Sequence, residues 1–237
     1  RLLIPGFVKR NGLDLREWEA RSYSSFNDFF TRKAAPGMRS LAWGEDTLIS
    51  PCDGRLLVCP VTRQGRFLIK HTSYTAGQLL RSHRLASRFA GGWALIFRLT
   101  VQDYHRFCYV DDGVRSGTRR ILGGFHTVNP AANDAMPVYK ENTREYCLLH
   151  TRRFGTVLMM EVGALLVGKI VNYDGAGTVK RGQEKGRFEF GGSTVVVFLE
   201  PGRVAIDGDL LENSRDGYET LVRMGERIGQ ACRMPGI

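Results

Sequence analysis

The stretch KGRFEFGGSTVVVFLEPG, residues 185–202, says most about how this chain folds. Five apolar residues follow Ser193-Thr194 and end at a Pro-Gly turn, and such a run predicts a buried strand over 194–200. Glycine adopts backbone conformations that other residues resist, so the peptide bond before Ser193 can take an unusual geometry. A serine hydroxyl there can attack the carbonyl of its own preceding residue. Gly-Ser turns are common, so the other segments of the chain must decide whether this one is special.

Short apolar runs separated by glycine continue the strand pattern through the sequence. Further strands are predicted at 55–61, 66–70, 93–101, 105–110, 145–150, 156–162, 165–173 and 203–206, with a final strand and turn in 219–229. The fold class predicted is α+β, predominantly β. We expect a sandwich or partly closed barrel of short antiparallel strands, with a few N-terminal and peripheral helices.

Two segments have a helical pattern of apolar residues. Residues 13–33 are predicted to be helical, with Ser24 or Ser25 able to cap a second short helix before Phe26. Residues 75–89 are predicted to form another helix that ends at a pair of glycines. No linker composition interrupts the chain, so residues 1–237 are expected to form a single domain.

Composition excludes several classes of protein. Hydrophobic residues make up 43% of the 237, which argues against disorder, and no apolar run approaches the roughly 20 residues that span a bilayer. The five cysteines (52, 59, 108, 147 and 232) include no CxxC pair. We therefore expect reduced thiols and no metal site.

The chain is basic, with a formal net charge of +10, and the excess lies before Ser193. A basic surface attracts phosphate, either on anionic lipid or on nucleic acid. Arg81, Arg84 and Arg88 recur at helical spacing, and the N-terminal RLLIPGFVKR combines apolar and basic residues. A lipid-facing surface and an ordinary solvated face are both compatible with this pattern. Nucleic acid is the weakest candidate, because no aromatic platform accompanies the charge.

Four segments besides GGST carry residues suited to chemistry. SPCDG (50–54) places Asp53 at a sharp turn, and DYHRFCY (103–109) contains His105. FHTVNP (125–130) contributes His126, and EVGALLVGKI (161–170) is typical of closely packed core strands. Taken singly, each has a plain structural interpretation, since a turn aspartate or a buried histidine is common.

Together, FFTRK (29–33), SPCDG, DYHRF (103–107), FHTVNP, VGALLVGKI (162–170) and KGRFEFGGST (185–194) resemble phosphatidylserine decarboxylases of the bacterial branch that ends in GGST. The resemblance covers nearly the whole chain, in the same motif order. It implies a proenzyme that cuts itself between Gly192 and Ser193, giving a β chain (1–192) and an α chain (193–237). Ser193 is then the precursor of a pyruvoyl group, and no external cofactor is needed.

The activity that the resemblance implies is decarboxylation of phosphatidylserine to phosphatidylethanolamine and CO2 through a Schiff base on the pyruvoyl ketone. Asp53 matches the aspartate of the family's Asp-His-Ser set. His105 matches a histidine assigned to substrate binding or proton transfer, and His71 matches a position with a supporting role in substrate binding. The resemblance also implies a homodimer at the cytoplasmic face of the cell membrane, bound peripherally to anionic lipid.

One position departs from the common family motif, DYHRxHxP. Cys108 stands where the second histidine, the base of the self-cleavage reaction, is expected. Three alternatives follow: His126 has taken over as base, His105 serves both reactions, or, as the third, either Cys108 itself acts or the protein processes itself poorly. Two other functions stay open, a pyruvoyl decarboxylase of a soluble amino acid and an inactive lipid-binding homologue.

Overall fold

Antiparallel strands dominate the computed structural model, which describes residues 3–69, 72–123, 142–163, 169–173, 175–189 and 193–232. In chain order they are β1 (Thr47–Ile49), β2 (Gly54–Pro60), β3 (Arg66–Ile69), β4 (Thr72–Thr75), β5 (Trp93–Leu99), β6 (Arg106–Cys108), β7 (Gly113–Arg115), β8 (Arg119–Ile121), β9 (Arg144–Thr151), β10 (Thr156–Gly163), β11 (Ile170–Asn172), β12 (Gly177–Val179), β13 (Glu184–Phe188), β14 (Ser193–Leu199), β15 (Val204–Ile206), β16 (Thr220–Val222) and β17 (Arg227–Ala231). The helices are α1 (Leu3–Asn11), α2 (Phe26–Phe30), α3 (Ala76–Leu80), α4 (His83–Ser87) and α5 (Gly208–Arg215), with a 3-10 turn at Leu15–Glu17.

The largest sheet joins nine of the described strands in the order β12-β7-β9-β10-β14-β5-β2-β16, with β8 also paired to β9. Strand β14 lies near its middle, hydrogen-bonded to β10 on one side and to β5 on the other. Every residue of β14 is buried. Burial of both faces explains why this segment reads as a continuous apolar run rather than an alternating one.

Each face of the large sheet has its own hydrophobic core. The first face packs against two three-stranded sheets, β1-β17-β15 and β11-β13-β6, and its core includes Val195, Val197, Leu48, Ile228, Phe107 and Phe188. The second face packs against the β3-β4 hairpin with α3 and α4, and its core includes Val196, Phe198, Phe67, Leu79 and Phe89. These layers confirm a predominantly β sandwich, since the described sheets are not closed into a barrel.

The helices in the structure are shorter than the sequence predicts. Within 13–33 the structure has only the 3-10 turn and α2, whose N-cap Ser25 accepts a hydrogen bond from the Asp28 backbone as predicted. The single helix predicted over 75–89 is wrong. Arg81 has φ +46° and ends α3, and the Ser82 side chain caps the separate helix α4. The expected basic face of one helix is therefore not formed.

Other segments differ from the predictions in smaller ways. The tail 219–229 contributes two strands, β16 and β17, which pair with different sheets, and α5 was not predicted. Of the strand expected over 165–173, residues 170–172 are extended, while 164–168 lie outside the described residues. All five cysteines are free thiols. Within the described part of the chain, no helix has the length and apolar character needed to cross a bilayer.

Candidate active site

One end of the large sheet gathers the start of β14, the end of β5, the start of β2 and the end of β10. Ser193 pairs with Leu99 of β5 and with Gly163 of β10. Because Arg55 pairs with Arg98, Gly54 lies beside Leu99 on the next strand. Gly54 has φ +152°, and a Cβ there would lie 3.0 Å from the Arg98 carbonyl oxygen, so this turn favours glycine. The turn places Asp53 at the same sheet end as Ser193.

Ser193 is fully buried, and its hydroxyl has no hydrogen-bond partner among the described residues. Alternation along β14 puts its side chain on the same face as Val195 and Val197, toward the first core. A buried hydroxyl without a partner is costly, so such a group calls for a functional explanation. The position suits attack on the neighbouring backbone rather than a structural role.

Asp53 is nearly buried and is held by Arg39. The Arg39 Nε donates to Asp53 Oδ1 at 2.8 Å and Nη2 donates to Oδ2 at 2.7 Å, a two-pronged contact. The Met224 backbone N–H also donates to Oδ1 at 2.9 Å. Among the described residues no imidazole contacts this carboxylate. The sequence motif gave no sign of Arg39, because the two residues are 14 positions apart.

His105 is buried, with its ring centre 3.9 Å from that of Phe30. Its Nδ1 lies 2.9 Å from the Asp103 carbonyl oxygen, and a carbonyl only accepts, so Nδ1 carries the proton. Nε2 then presents a lone pair, and it has no partner in the described part of the chain. Burial, with the Arg32 guanidinium nearby, lowers the pKa of His105 from 6.5 to about 3. The imidazole is therefore neutral at physiological pH.

Cys108 does not have the properties of a proton acceptor. Its thiol is buried, 4.0 Å from the Ser50 carbonyl oxygen. Burial raises the pKa of the Cys108 thiol to about 12. A thiol that stays protonated at neutral pH can donate to the carbonyl but cannot take a proton from a serine hydroxyl.

A buried ion pair lies on the same face, and the sequence patterns did not predict it. Lys185 Nζ of β13 is 2.7 Å from Glu161 Oε2 of β10, and both side chains are fully buried. The Asn172 amide donates to Glu161 Oε2 at 3.3 Å and accepts from Lys185. The sequence around Glu161 is typical of closely packed core strands, and all of β10 is indeed buried. A charged residue inside an apolar strand was the signal that could have identified this pair.

A shallow groove lies beside the strand that leads to Ser193. It has a volume of about 390 Å³ and is lined by Thr118, Glu145, Lys169, Ile170, Val171, Asn172, Arg187 and Glu189. Lys169 and Arg187 both approach Glu189, each with an N–O distance of 3.4 Å. The groove therefore presents both signs of charge beside β13.

Three predicted site residues cannot be placed by the structure. His126, His71 and Gly192 lie outside the described residues. Their roles stay predictions from the sequence. Of the others, the structure brings Asp53 and Ser193 to one end of the large sheet, and the chain from Leu99 of β5 leads through a short turn to His105.

The family model and the similar proteins described below all carry the same family name. The family model described as phosphatidylserine decarboxylase matches residues 26–230. The chain is 45% identical over 227 residues to a phosphatidylserine decarboxylase proenzyme 2 of Clostridium acetobutylicum, covering 96% of this chain and 78% of that protein. A proenzyme of Chlamydia caviae is 41% identical over 98% of this chain and 80% of its own length. One of Desulfitobacterium hafniense is 41% identical, with coverage of 97% and 78%.

Proposed function

The chain belongs to the phosphatidylserine decarboxylase family, and on that basis we propose that it is made as a proenzyme that cuts itself between Gly192 and Ser193. The mature enzyme is a decarboxylase that converts phosphatidylserine to phosphatidylethanolamine and CO2. The observation that carries the proposal is the Ser193 hydroxyl, buried and without a partner among the described residues, at the first position of a central strand.

Self-cleavage begins with the Ser193 side chain. Its Oγ forms a bond to the Gly192 carbonyl carbon, the amide C–N bond breaks, and the hydroxyl proton ends on the Ser193 nitrogen, which leaves an ester. Loss of the proton on the Ser193 Cα then breaks the Cβ–Oγ bond and frees the chain ending at Gly192 as a carboxylate. The dehydroalanine left at position 193 tautomerises to an imine, and water hydrolyses the imine to the pyruvoyl carbonyl with release of ammonia. Each stage needs a base, and His126 is the base that the sequence predicts for self-cleavage.

The pyruvoyl group is a product of this chain, and a buried position suits it. Once formed from Ser193, it supplies a carbonyl that takes up the substrate amine and accepts the electron pair left by CO2. Ser193 is buried on the face of the large sheet that packs into the first core, and the Glu161 side chain lies on the same face. Such an environment excludes water from a reactive carbonyl.

His105 is proposed to transfer the proton that the substrate carbon takes up when CO2 leaves. Its neutral imidazole offers a free Nε2, and the Asp103 carbonyl and the Phe30 ring fix its orientation. Asp53 is proposed to act in self-cleavage. Arg39 fixes the position of its carboxyl group through two N–H donors, and a carboxyl group held in this way can orient an imidazole.

The substrate headgroup carries phosphate, carboxylate and ammonium. We assign it to the groove beside β13, where Lys169 and Arg187 meet the anionic groups and Glu189 meets the ammonium. His71 keeps its predicted supporting role in binding. A Lys169→Glu variant is expected to cut itself normally and to lose activity on phosphatidylserine mainly through a higher KM.

We assign the lipid-facing surface to the N-terminal helix. The last turn of α1 contains Lys9 and Arg10, none of the helix residues is buried, and Leu3 is 72% exposed. Apolar and basic residues together on one helix favour binding to an anionic bilayer, and so does the net charge of +10 of the chain. We expect binding at the cytoplasmic face of the membrane. Co-sedimentation with phosphatidylserine vesicles, compared with phosphatidylcholine vesicles, tests this. A homodimer, also expected from the resemblance, is tested by analytical ultracentrifugation.

The decisive experiment is intact mass spectrometry of the purified protein beside a Ser193→Ala variant. Two fragments are expected for the wild type, with the C-terminal one lacking its α-amino group, and a single chain for the variant. CO2 release is then measured from phosphatidylserine vesicles and from free serine. An uncut wild-type chain would contradict the proposal, and release from free serine alone would change the substrate to a soluble amino acid.

A further inference from the structure

The buried Glu161–Lys185 pair has no assigned role, and it lies within reach of Ser193. In the pairing of β10 with β14, Val195 stands opposite Glu161 and Ser193 stands opposite Gly163. Glu161 and Ser193 are therefore diagonal neighbours on one face of the sheet. Diagonal neighbours are about 7 Å apart, which a long side chain such as glutamate can bridge.

Each member of this diagonal pair has an unpartnered oxygen. Glu161 Oε2 is occupied by the Lys185 ammonium and the Asn172 amide. Glu161 Oε1 is buried and has no hydrogen-bond partner among the described residues, and the same holds for Ser193 Oγ. Glu161 Oε1 is a hydrogen-bond acceptor, and the Ser193 hydroxyl can donate. Two buried groups of complementary kind on one face can satisfy each other by a small rotation.

From this geometry we propose that Glu161 is a further catalytic residue, which takes the hydroxyl proton of Ser193 in the first stage of self-cleavage. The carboxylate oxygen Oε1 accepts the proton as Oγ bonds to the Gly192 carbonyl carbon. The proton passes to the Ser193 nitrogen as the C–N bond breaks, which restores the carboxylate. His126 is then free for the second stage, removal of the Cα proton. The inference rests on the proposed self-cleavage.

Lys185 is the positioning residue of this arrangement. Its Nζ donates to Oε2, and Oε1 is left without a partner among the described residues. The Phe107 ring lies 5.3 Å from Nζ and holds the ammonium from another side. Burial raises the pKa of the Glu161 carboxyl, with the Lys185 charge opposing that rise. A carboxylate with a raised pKa is a better proton acceptor than one in water.

The test uses a Glu161→Gln variant, which keeps the size of the side chain. Lys185 and Asn172 both donate to the Oε2 position, so the amide oxygen must occupy it and the NH2 group must face Ser193. The variant therefore presents a donor where the wild type presents an acceptor. We expect chain splitting to slow at least tenfold, followed by mass spectrometry after pulse-labelled synthesis. A purely structural role would leave the rate unchanged, because both contacts to Oε2 are kept, and that result would overturn the proposal.

Hydroxylamine identifies the stage at which the variant stalls, since it cleaves esters and spares amides. We expect the Glu161→Gln chain to resist hydroxylamine, because its ester has not formed. Splitting of the variant by hydroxylamine at residue 193 would place the block after ester formation and overturn the proposal. Glu200→Gln is the matched control, because Glu200 follows the opposite end of β14 and should leave the rate unchanged.

A second variant tests whether slow splitting is caused by loss of the fold. Glu161→Leu combined with Lys185→Met replaces the ion pair by apolar groups, a change that buried pairs often tolerate. It is expected to fold, as judged by circular dichroism, and to split as slowly as Glu161→Gln. Normal splitting of this double variant would contradict the proposed role of Glu161, while the proposed self-cleavage would still stand. A wild-type chain that does not split, or a Ser193→Ala chain that does, contradicts the proposed function instead.

Discussion

His105 should make the stability of this protein depend on pH in a measurable way. The perturbation is His105→Asn, made in a Ser193→Ala chain so that every sample is one uncut species. Asparagine keeps a donor for the Asp103 carbonyl oxygen, which His105 Nδ1 contacts at 2.9 Å, and it cannot be protonated. The change therefore removes the titration of residue 105 while retaining its main hydrogen bond.

The size of the effect follows from the pKa of His105, which burial lowers from 6.5 to about 3 in the folded chain. Between these values the unfolded chain binds the proton and the folded chain does not, so the free energy of unfolding falls as the pH falls. Each pH unit within the window is worth about 1.4 kcal/mol. From about pH 7.5 to about pH 5 the loss through His105 is about 2 kcal/mol. Well above pH 6.5 the imidazole is neutral in both the folded and the unfolded chain, so His105 no longer changes the free energy of unfolding with pH.

The assay is urea denaturation at the two pH values, followed by tryptophan fluorescence. The free energy of unfolding of the parent should fall by about 2 kcal/mol more than that of His105→Asn over this range. His150→Asn is the matched control, because it makes the same substitution at an exposed position. Equal pH dependence in the parent and in His105→Asn would refute a neutral, buried imidazole at this position.

Three further substitutions test separate parts of the structure. Arg39→Ala leaves the carboxylate of Asp53 without its two-pronged partner and should cost about 3 kcal/mol in urea denaturation; a loss below about 1 kcal/mol would contradict the pairing. Gly186→Ala would put a Cβ 2.2 Å from the Val171 carbonyl oxygen and should destabilise the chain by about 1–3 kcal/mol, whereas an unchanged melting temperature would rule out that packing. Cys108→Ala should split at a rate within about twofold of wild type, since a thiol with a pKa of about 12 accepts no proton at neutral pH, and a large slowing on gels would restore Cys108 as the base.

The local sequence determined the strand content and the residue that carries the chemistry. The run 195–199 gave a buried strand because five consecutive apolar side chains can only be covered on both faces inside a sandwich. The GGST motif indicated Ser193 as the nucleophile, and the order of the motifs indicated the family. Helix prediction failed at 75–89, where Arg81 takes a left-handed conformation that a periodic pattern of apolar residues does not reveal.

Only the tertiary structure decided which groups meet. Arg39 with Asp53, and Glu161 with Lys185, are pairs from segments far apart in the chain, so no local pattern predicts them. Folding removes water from both partners at a cost, so each buried charge is stable only because its opposite lies beside it. The sequence thus fixes the strands and the nucleophile through local patterns of side chains. Which proton donors and acceptors surround that nucleophile depends on strand register, because a shift of one residue would turn Glu161 to the opposite face of the sheet.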